Sequence, residues 1–271
     1  MVMHMINFTL FKKEFKSNLV LYGIFSLVIL MYGIIVVDLF NPLEDSSWIE
    51  QIMQIMPELM SFFGFALDDV TNYQAFVAGY LYDMLFILLG IIFITMLVNR
   101  LVFRYLDQGS FGYLIATPNS RTKIMFTQAV TLICYLLMQV MLMFVIVAGY
   151  GKITHRNYVD IGRIFYLNFS FFLLLLFISS ITFCFLSLLE GKLATGLNIG
   201  VLTFFFFAKL ISNLGGNYEF FKFLTPFSLF NPRMIVSFSK TVHIYNVILG
   251  LVTILIYTLT FKLFNKRDLA I

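Results

Sequence analysis

The stretch "AFVAGYLYDMLFILLGIIFITMLV", residues 75–98, contains a single charged side chain, Asp83, in an otherwise apolar or uncharged run. A helix of about 20 residues is long enough to cross the roughly 30 Å hydrocarbon core of a bilayer. The run shows no strand-like alternation, so a helix must satisfy its backbone hydrogen bonds inside lipid. The stretch therefore predicts a membrane-spanning helix.

Five further runs of the same kind lie along the chain. The six predicted spans lie near residues 19–37, 75–98, 124–148, 164–189, 193–211 and 242–261. The composition agrees, since 61% of the residues are hydrophobic and the mean hydropathy is +0.93. Charged residues make up 12% of the chain, against roughly 25% in a soluble domain. The sequence predicts an all-α integral membrane protein with six transmembrane helices in one domain, 1–271.

Lysine and arginine residues are unevenly divided between the two sides of this predicted bundle. If both termini share a side, that side carries eleven of them, namely Lys12, Lys13, Lys16, Arg100, Arg104, Arg121, Lys123, Lys192, Lys262, Lys266 and Arg267. The other side carries six: Lys152, Arg156, Arg163, Lys222, Arg233 and Lys240. Because cytoplasmic loops are richer in basic residues, both termini are predicted to be cytoplasmic.

The first outer loop, residues 38–72, has no basic residue and seven acidic ones. Within it, apolar side chains recur at helical spacing at Ile49, Ile52, Met53, Met56, Met60 and Phe63. This spacing predicts an amphipathic helix, kinked at Pro57, that lies on the membrane or caps the bundle. Its acidic face is either simply solvated or forms a vestibule that attracts cationic peptides or lipid headgroups.

The N-terminal residues 5–18 predict a second amphipathic helix, here on the inner side. Phe8, Phe11, Phe15 and Leu19 share one helical face, whereas the lysines lie elsewhere on the surface. Such a helix rests in the membrane interface with its bases near anionic lipid headgroups and then turns into the first span.

The segment "YLDQGSFGYLIATPNSR", residues 105–121, joins the second and third predicted spans. Gly109 and Pro118 mark turns, and the apolar residues between them are enough for a short helix across the cytoplasmic ends of the bundle. A simple reversing loop would explain the glycine and proline but not the apolar residues, which a linker would expose without gain. The sequence therefore predicts that another surface covers this segment.

These residues resemble the ABC-2 type permeases, the transmembrane subunits of ATP-binding-cassette exporters. The resemblance rests on Asp107, Gly109, Ser110, Tyr113, Leu114, Pro118, Ser120, Arg121 and Ile124. It implies that residues 105–121 form a coupling helix that inserts into a separate ATPase subunit. The residues implied to couple to the ATPase are Arg104, Asp107, Gly109, Tyr113, Leu114, Pro118, Ser120 and Arg121.

Two other stretches are similar to elements of the same family. "FLTPFSLFNP", residues 223–232, resembles the element before the last span, which implies short re-entrant helices on the outer side over residues 214–236. "FNKRDL", residues 264–269, resembles the usual ending of these permeases. The chain departs from the family at Tyr105, where many members have Glu, and at Gln128, where they often have Lys. A charge contact at those two positions is therefore not implied.

No ATPase site of its own is expected, because the phosphate-binding pattern G-x-x-x-x-G-K-[ST] does not occur in the sequence. The chain is predicted to be a transporter subunit and not an enzyme, with ATP and Mg²⁺ bound by the partner ATPase. His4, His155 and His243 show no metal-ligand spacing and are interpreted as interfacial side chains, and Cys134 and Cys184 as small apolar fillers. Neither a bound cofactor nor a nucleic-acid partner is expected.

Two charged residues, Asp83 and Lys209, fall inside predicted spans near their outer ends. The favoured interpretation is that each side chain snorkels to the interface. The alternative is that the two pair or face a polar translocation path at an outer gate, because charge in lipid is costly and usually functional.

The resemblance implies a complex of two permease subunits, identical or different, with two copies of the ATPase in the bacterial plasma membrane. The apolar, aromatic spans favour an amphipathic cargo. Within the family the chain resembles the compact permeases of bacterial peptide exporters, of the phenol-soluble-modulin type, which implies export of membrane-active peptides or self-protection against them. Lipids or drugs are the alternative cargo. The sequence shows no internal repeat or acidic relay of a carrier and no selectivity element of a channel. A membrane scaffold is the remaining alternative.

Overall fold

The computed structural model describes residues 6–40, 55–64, 72–107, 109 and 120–267. The α-helices in this part of the chain are α1 (Phe8–Ser17), α2 (Leu19–Leu39), α3 (Pro57–Phe62), α4 (Tyr73–Val77), α5 (Leu85–Val98), α6 (Arg104–Asp107), α7 (Arg121–Phe144), α8 (Gly151–Thr154), α9 (Ile161–Leu188), α10 (Gly191–Ser212), α11 (Pro232–Val236) and α12 (Lys240–Lys266). Between α10 and α11 lie two 3₁₀-helices, Gly216–Leu224 and Pro226–Leu229. The described residues contain no strand.

Six helical stretches are long and apolar enough to cross a membrane, which confirms the predicted all-α architecture with six spans. They are Leu19–Leu39, Leu85–Asp107, Arg121–Thr154, Ile161–Leu188, Gly191–Ser212 and Lys240–Lys266. Successive connections between the spans lie at opposite ends of the bundle. We call the end where α1 lies and α12 finishes the terminal face, and the other end the distal face.

Helix α9 is the centre of the bundle and packs against α5, α7, α10 and α12. In its most apolar stretch 67% of the residues are buried, against 22% in α12 and 33% in α2. Leu251, Ile254 and Leu255 of α12 point outward. Outward Leu and Ile are at no disadvantage in a bilayer, because lipid tails are as apolar as they are.

Three π-helical segments interrupt the spans, at Ala78–Tyr82, Asn99–Phe103 and Val145–Tyr150. A π turn accommodates one extra residue and is often found at functional sites. After the first of them the helix is interrupted just before the second observed span, since Asp83 and Met84 form a turn before α5 begins. No proline in the sequence marks this interruption. The turn contains Asp83 and so determines where its side chain lies.

The distal face is held by hydrogen bonds from α4, the short helix that precedes the second span. Tyr73 Oη donates to the carbonyl oxygen of Val147 at 2.6 Å, and Gln74 Nε2 donates to the carbonyl oxygen of Tyr158 at 2.8 Å. Both acceptors belong to the region where the third span ends and turns into the fourth. The second and third spans are therefore fastened together at this end.

Two predicted helices outside the spans differ from expectation or are only partly described. Ile55 is helical, Met56 leaves helical geometry and α3 starts at Pro57, so the proline begins a helix instead of kinking one. Proline suits a first helical position because its missing N–H has no partner there anyway. Ile49, Ile52 and Met53 lie outside the described residues. The segment predicted as re-entrant, 214–236, does contain short helices, namely the two 3₁₀-helices and α11.

Candidate functional site

The first candidate site lies at the distal face, where the turn before α5 leaves the backbone carbonyl of Asp83 outside a regular helix. A carbonyl oxygen that is not bonded within a helix must find another donor. Lys209 Nζ, from the last turn of α10, donates to this carbonyl oxygen at 2.9 Å. The same ammonium group also forms an ion pair with Asp83 Oδ1.

The second carboxylate oxygen of Asp83 is satisfied from the end of α10. Asn213 Nδ2 donates to Asp83 Oδ2 at 2.8 Å and lies 3.4 Å from the carbonyl oxygen of Phe62. Asp83 and Lys209 are only 6% and 3% exposed. A buried charge is tolerated when it is paired and hydrogen-bonded, and both conditions hold here.

The favoured interpretation of these two residues was therefore wrong. Neither side chain snorkels toward the interface, because each is enclosed by protein and neutralised by the other. The alternative that Asp83 and Lys209 pair is what the structure shows. The role of the pair as an outer gate stays a prediction.

Two further segments close over the pair. The chain after α3 reaches Gly64, where φ is +88° and an added Cβ would lie 1.9 Å from Asp83 Oδ2. Arg233 of α11 donates to the carbonyl oxygen of Gly64. On the other side, Lys209 Nζ lies 5.8 Å from the centre of the buried Phe230 ring, within the range of a cation–π contact. We call Gly64, Asp83, Lys209 and Asn213 together the Asp83 site.

Sequence reasoning missed two members of this site. Asn213 lies four residues after Lys209 and so on the same helical face, a spacing that could have identified it. Gly64 gives no comparable signal. A glycine is required at this position because the backbone there lies close to Asp83, which is distant in sequence.

The second candidate site lies at the terminal face and includes both described flanks of the segment 105–121. On the first flank, Tyr105 Oη donates to Glu14 Oε1 of α1 at 2.7 Å. Glu14 is only 2% exposed. The cations of Lys13 and Arg104 lie 6.0 Å and 5.9 Å from the centre of the Tyr105 ring. Tyr105 therefore contacts a carboxylate.

Helix α1 is docked on the third span as well. The Phe15 and Tyr135 rings stack with centres 4.8 Å apart, and Tyr135 Oη donates to the carbonyl oxygen of Phe15. The backbone N–H of Asn7 donates to Thr127 Oγ1 at 2.9 Å. Of the face predicted to lie on the membrane, Phe8 is exposed, whereas Phe15 is partly buried against protein. The α1 helix thus has a protein-facing side, centred on Glu14, that the phenylalanine spacing did not predict.

We expect the Tyr105→Phe substitution to loosen α1 from the bundle. The change deletes the donor to a buried carboxylate, and a hydrogen bond to a charged group contributes roughly 1.5–3 kcal/mol. Hydrogen–deuterium exchange in residues 8–17 should accelerate, as measured by mass spectrometry of the chain in detergent. Tyr218→Phe, at an exposed tyrosine of the distal face, is the control. Unchanged exchange in Tyr105→Phe would show that the hydrogen bond does not hold α1.

On the second flank, Arg121 is the first residue of α7, which Ser120 caps by accepting from the backbone N–H of Lys123 at 3.2 Å. Arg121 Nη1 donates to the carbonyl oxygen of Arg267 at 3.0 Å. Arg267 in turn donates to the carbonyl oxygen of Ser187 and to Glu190 Oε1, both at 2.6 Å. The start of the third span is therefore joined through the C-terminal segment to the connection between α9 and α10.

The predicted coupling residues are only partly described. Tyr113, Leu114 and Pro118 lie outside the described residues. Asp107 ends α6, and Gly109 has a φ of +66°, as its predicted turn requires. The interactions of Glu14 and Arg267 were not foreseen, although both are charged residues beside predicted site residues at the terminal face.

Comparison of this chain with protein-family models, with curated proteins and with solved structures finds no match.

Proposed function

We propose that this chain is the permease subunit of an ATP-binding-cassette exporter, with ATP bound and hydrolysed by a separate ATPase subunit. The observation that carries the proposal is the anchoring of both described flanks of the segment 105–121. A segment can transmit the movement of a bound partner to the rest of the bundle only if both of its ends are firmly attached to the bundle. The Glu14–Tyr105 hydrogen bond holds one end, and the Arg121–Arg267 hydrogen bond holds the other.

The second flank offers a route from the terminal face to the distal face. Arg267 holds Glu190, which immediately precedes α10. Helix α10 has 22 residues and so a length of about 33 Å, and Lys209 in its last turn binds Asp83. In our proposal, displacement of the segment 105–121 moves α10 and thereby acts on the Asp83 site, which serves as the outer gate.

We further propose that the terminal face is cytoplasmic in the bacterial plasma membrane. Because successive spans run in opposite directions, eleven basic residues of the sequence fall on this face. This excess of basic residues supports the cytoplasmic orientation. Residues 105–121 would then face the compartment that supplies ATP. Two copies of the ATPase, carrying ATP and Mg²⁺, and a second permease subunit complete the proposed complex.

The proposed cargo is an amphipathic, membrane-active peptide. The outward surfaces of the spans are apolar, with exposed Phe204 and Phe207 on α10 and Ile92 and Met96 on α5. Such surfaces suit a cargo with an apolar side better than a sugar, whose hydroxyls would lose hydrogen bonds to water.

The test is ATPase activity of the complex in lipid nanodiscs. The chain is co-expressed with the ATPase encoded beside it, and hydrolysis is measured with and without amphipathic peptides. We expect peptide to stimulate hydrolysis, and Arg121→Glu or Leu114→Asp to abolish the stimulation. Lys192→Glu, at an exposed lysine of the same face, is the control for charge reversal and should retain it.

Each other outcome of this test points to a different function. A stable complex whose ATPase ignores peptides but responds to lipids or drugs would replace the cargo and retain the transporter. If no ATPase co-purifies with the chain, the exporter proposal is overturned in favour of a membrane scaffold.

A further inference from the structure

A small internal cavity lies between α2, α5, α7 and α9. Its walls include Ile29 of α2, Phe93 of α5, Met143 of α7 and Leu175 of α9. Of the described residues that line it, only Gln139 of α7 is polar. The cavity offers about 10 Å³ to the centre of a water molecule. One water needs about 10–15 Å³ by this measure, so the cavity matches a single water molecule and excludes a larger ligand.

The side chain of Gln139 is buried beside this cavity without a protein partner. It is 3% exposed, and neither its amide nitrogen nor its amide oxygen has a hydrogen-bond partner among the described residues. It lies near the middle of the third span, Arg121–Thr154, far from the water at either face. Nearly all buried polar groups bond to protein or to ordered water, because an unpaired one is costly. The cavity is where such a water fits.

A second buried polar atom lies on α2, close to the same cavity. The hydroxyl oxygen of Ser26 is buried and likewise has no hydrogen-bond partner among the residues that the structure describes. Phe25 and Ile29, which flank Ser26 in the sequence, both line the cavity. The hydroxyl therefore belongs to the part of α2 that borders it.

Two contacts show how α2 lies against the third span. Tyr22 Oη lies 3.5 Å from the carbonyl oxygen of Met138, the residue before the cavity amide. Three turns later on the same face, a Cβ added to Gly33 would lie 2.8 Å from the side chain of Ile146. Ser26 follows Tyr22 by one turn, and side chains four residues apart are neighbours on a helix. The two unpaired groups therefore lie at about the same depth on two helices in contact.

We infer that one water molecule occupies this cavity and bridges the amide of Gln139 and the hydroxyl of Ser26. An amide and a hydroxyl can each donate to or accept from a water, and a bridging water is nearly as favourable as a direct hydrogen bond. Only 33% of the most apolar stretch of α2 is buried, and lipid covers an apolar helix surface as well as another helix does. A polar bridge therefore fixes the position of α2 in a way that apolar contacts alone do not. This role goes beyond the proposed function, because it holds whatever the chain transports.

The test is hydroxyl-radical labelling of the chain in lipid nanodiscs by a short X-ray pulse. The pulse splits water where it lies, and the radical that forms oxidises a neighbouring methionine to its sulfoxide. Met143 lines the cavity and is only 1% exposed, so bulk water does not reach it. We expect mass spectrometry to find Met143 sulfoxide in the native chain. Gln139→Leu, which replaces the amide with an apolar side chain of similar size, should abolish it.

Gln128→Leu is the matched control. Gln128 belongs to the same helix and is 1% exposed, and its amide also has no partner among the described residues. It does not line this cavity. Labelling of Met143 should therefore persist in Gln128→Leu.

Unfolding in mixed micelles with sodium dodecyl sulfate shows whether Ser26 shares the water. In the native chain, Ser26→Ala removes one hydrogen bond of the bridge and should lower the midpoint of unfolding. In a Gln139→Leu background the hydroxyl has already lost the water. There Ser26→Ala should leave the midpoint unchanged or raise it, because it removes an unpaired buried group.

Three results would overturn the inference. A native chain without Met143 sulfoxide would show that the cavity is dry, and a stability coupling of Ser26 to Gln139 would then mean that the two side chains bond directly. Labelling that persists in Gln139→Leu would show that the amide does not hold the water. Equal effects of Ser26→Ala in the two backgrounds would exclude the hydroxyl as the second partner.

Discussion

Replacing Lys209 with Met is expected to lower the free energy of unfolding by about 3–5 kcal/mol, the usual effect of removing one partner of a buried ion pair. The variant leaves the Asp83 carboxylate buried, with Asn213 as its remaining described side-chain donor. It also leaves the Asp83 carbonyl oxygen without the ammonium group. The measurement is unfolding of the chain in mixed micelles with increasing sodium dodecyl sulfate.

The double variant Lys209→Met, Asp83→Asn separates pairing from mere burial. With both charges removed, no uncompensated charge remains, and replacing a complete buried pair is often close to neutral. We therefore expect the double variant to be more stable than Lys209→Met alone. A loss equal to the sum of the two single losses would contradict the pairing, because residues that interact show non-additive effects.

The exposed pair at the same face is the control for this cycle. Lys222 and Glu219 form an ion pair with side chains that are 42% and 60% exposed. Solvent screens such a pair, so its removal contributes little to stability. Lys222→Met with Glu219→Gln should therefore leave the unfolding transition nearly unchanged.

The Gly64→Ala substitution is expected to destabilise the chain by about 3 kcal/mol, which combines overpacking with a strained backbone. The new methyl group would lie 1.9 Å from Asp83 Oδ2, on a carboxylate already held by Lys209 and Asn213. It would also occupy a backbone with a φ of +88°. The same unfolding measurement in mixed micelles tests this expectation.

Gly216→Ala is the matched control, because Gly216 also has a positive φ, +54°, but has open space around the position of an added Cβ. Only the backbone strain applies there, so we expect a loss of about 1 kcal/mol. In an Asp83→Ala background, Gly64→Ala should cause a smaller loss than in the native chain, since the clashing carboxylate is gone. Equal losses in the two backgrounds would show that Gly64 does not contact Asp83.

The six spans could be predicted from sequence because the bilayer sets both their length and their composition. All six observed spans extend beyond their predicted limits at one or both ends, as the third does from Ile124–Ala148 to Arg121–Thr154. Hydropathy does not register helix that continues through polar residues outside the apolar run. The interruption after Tyr82 was also missed, because a π segment adds a residue to the turn and no proline marks it here.

The sequence identified several residues of the candidate sites, but it did not predict which of them are buried or which partners they bind. Asp83 and Lys209 were identified because charge is rare in a span, but their pairing was only the less favoured interpretation, since 126 positions separate them in sequence. Glu14 looked like one more charged residue of an amphipathic helix. Its burial against Tyr105 depends on how α1 docks, which the periodicity of α1 alone does not contain.

The sequence by itself determined that this is a six-span helical membrane protein with a basic and an acidic end. Those properties follow from the transfer of each residue between water and lipid, which is nearly additive along the chain. Only the tertiary structure decided which charges are buried, which are paired, and which segments meet at Gly64 and at Arg267. Pairing depends on distances between residues far apart in sequence, and a buried charge is stable only where the fold supplies its partner.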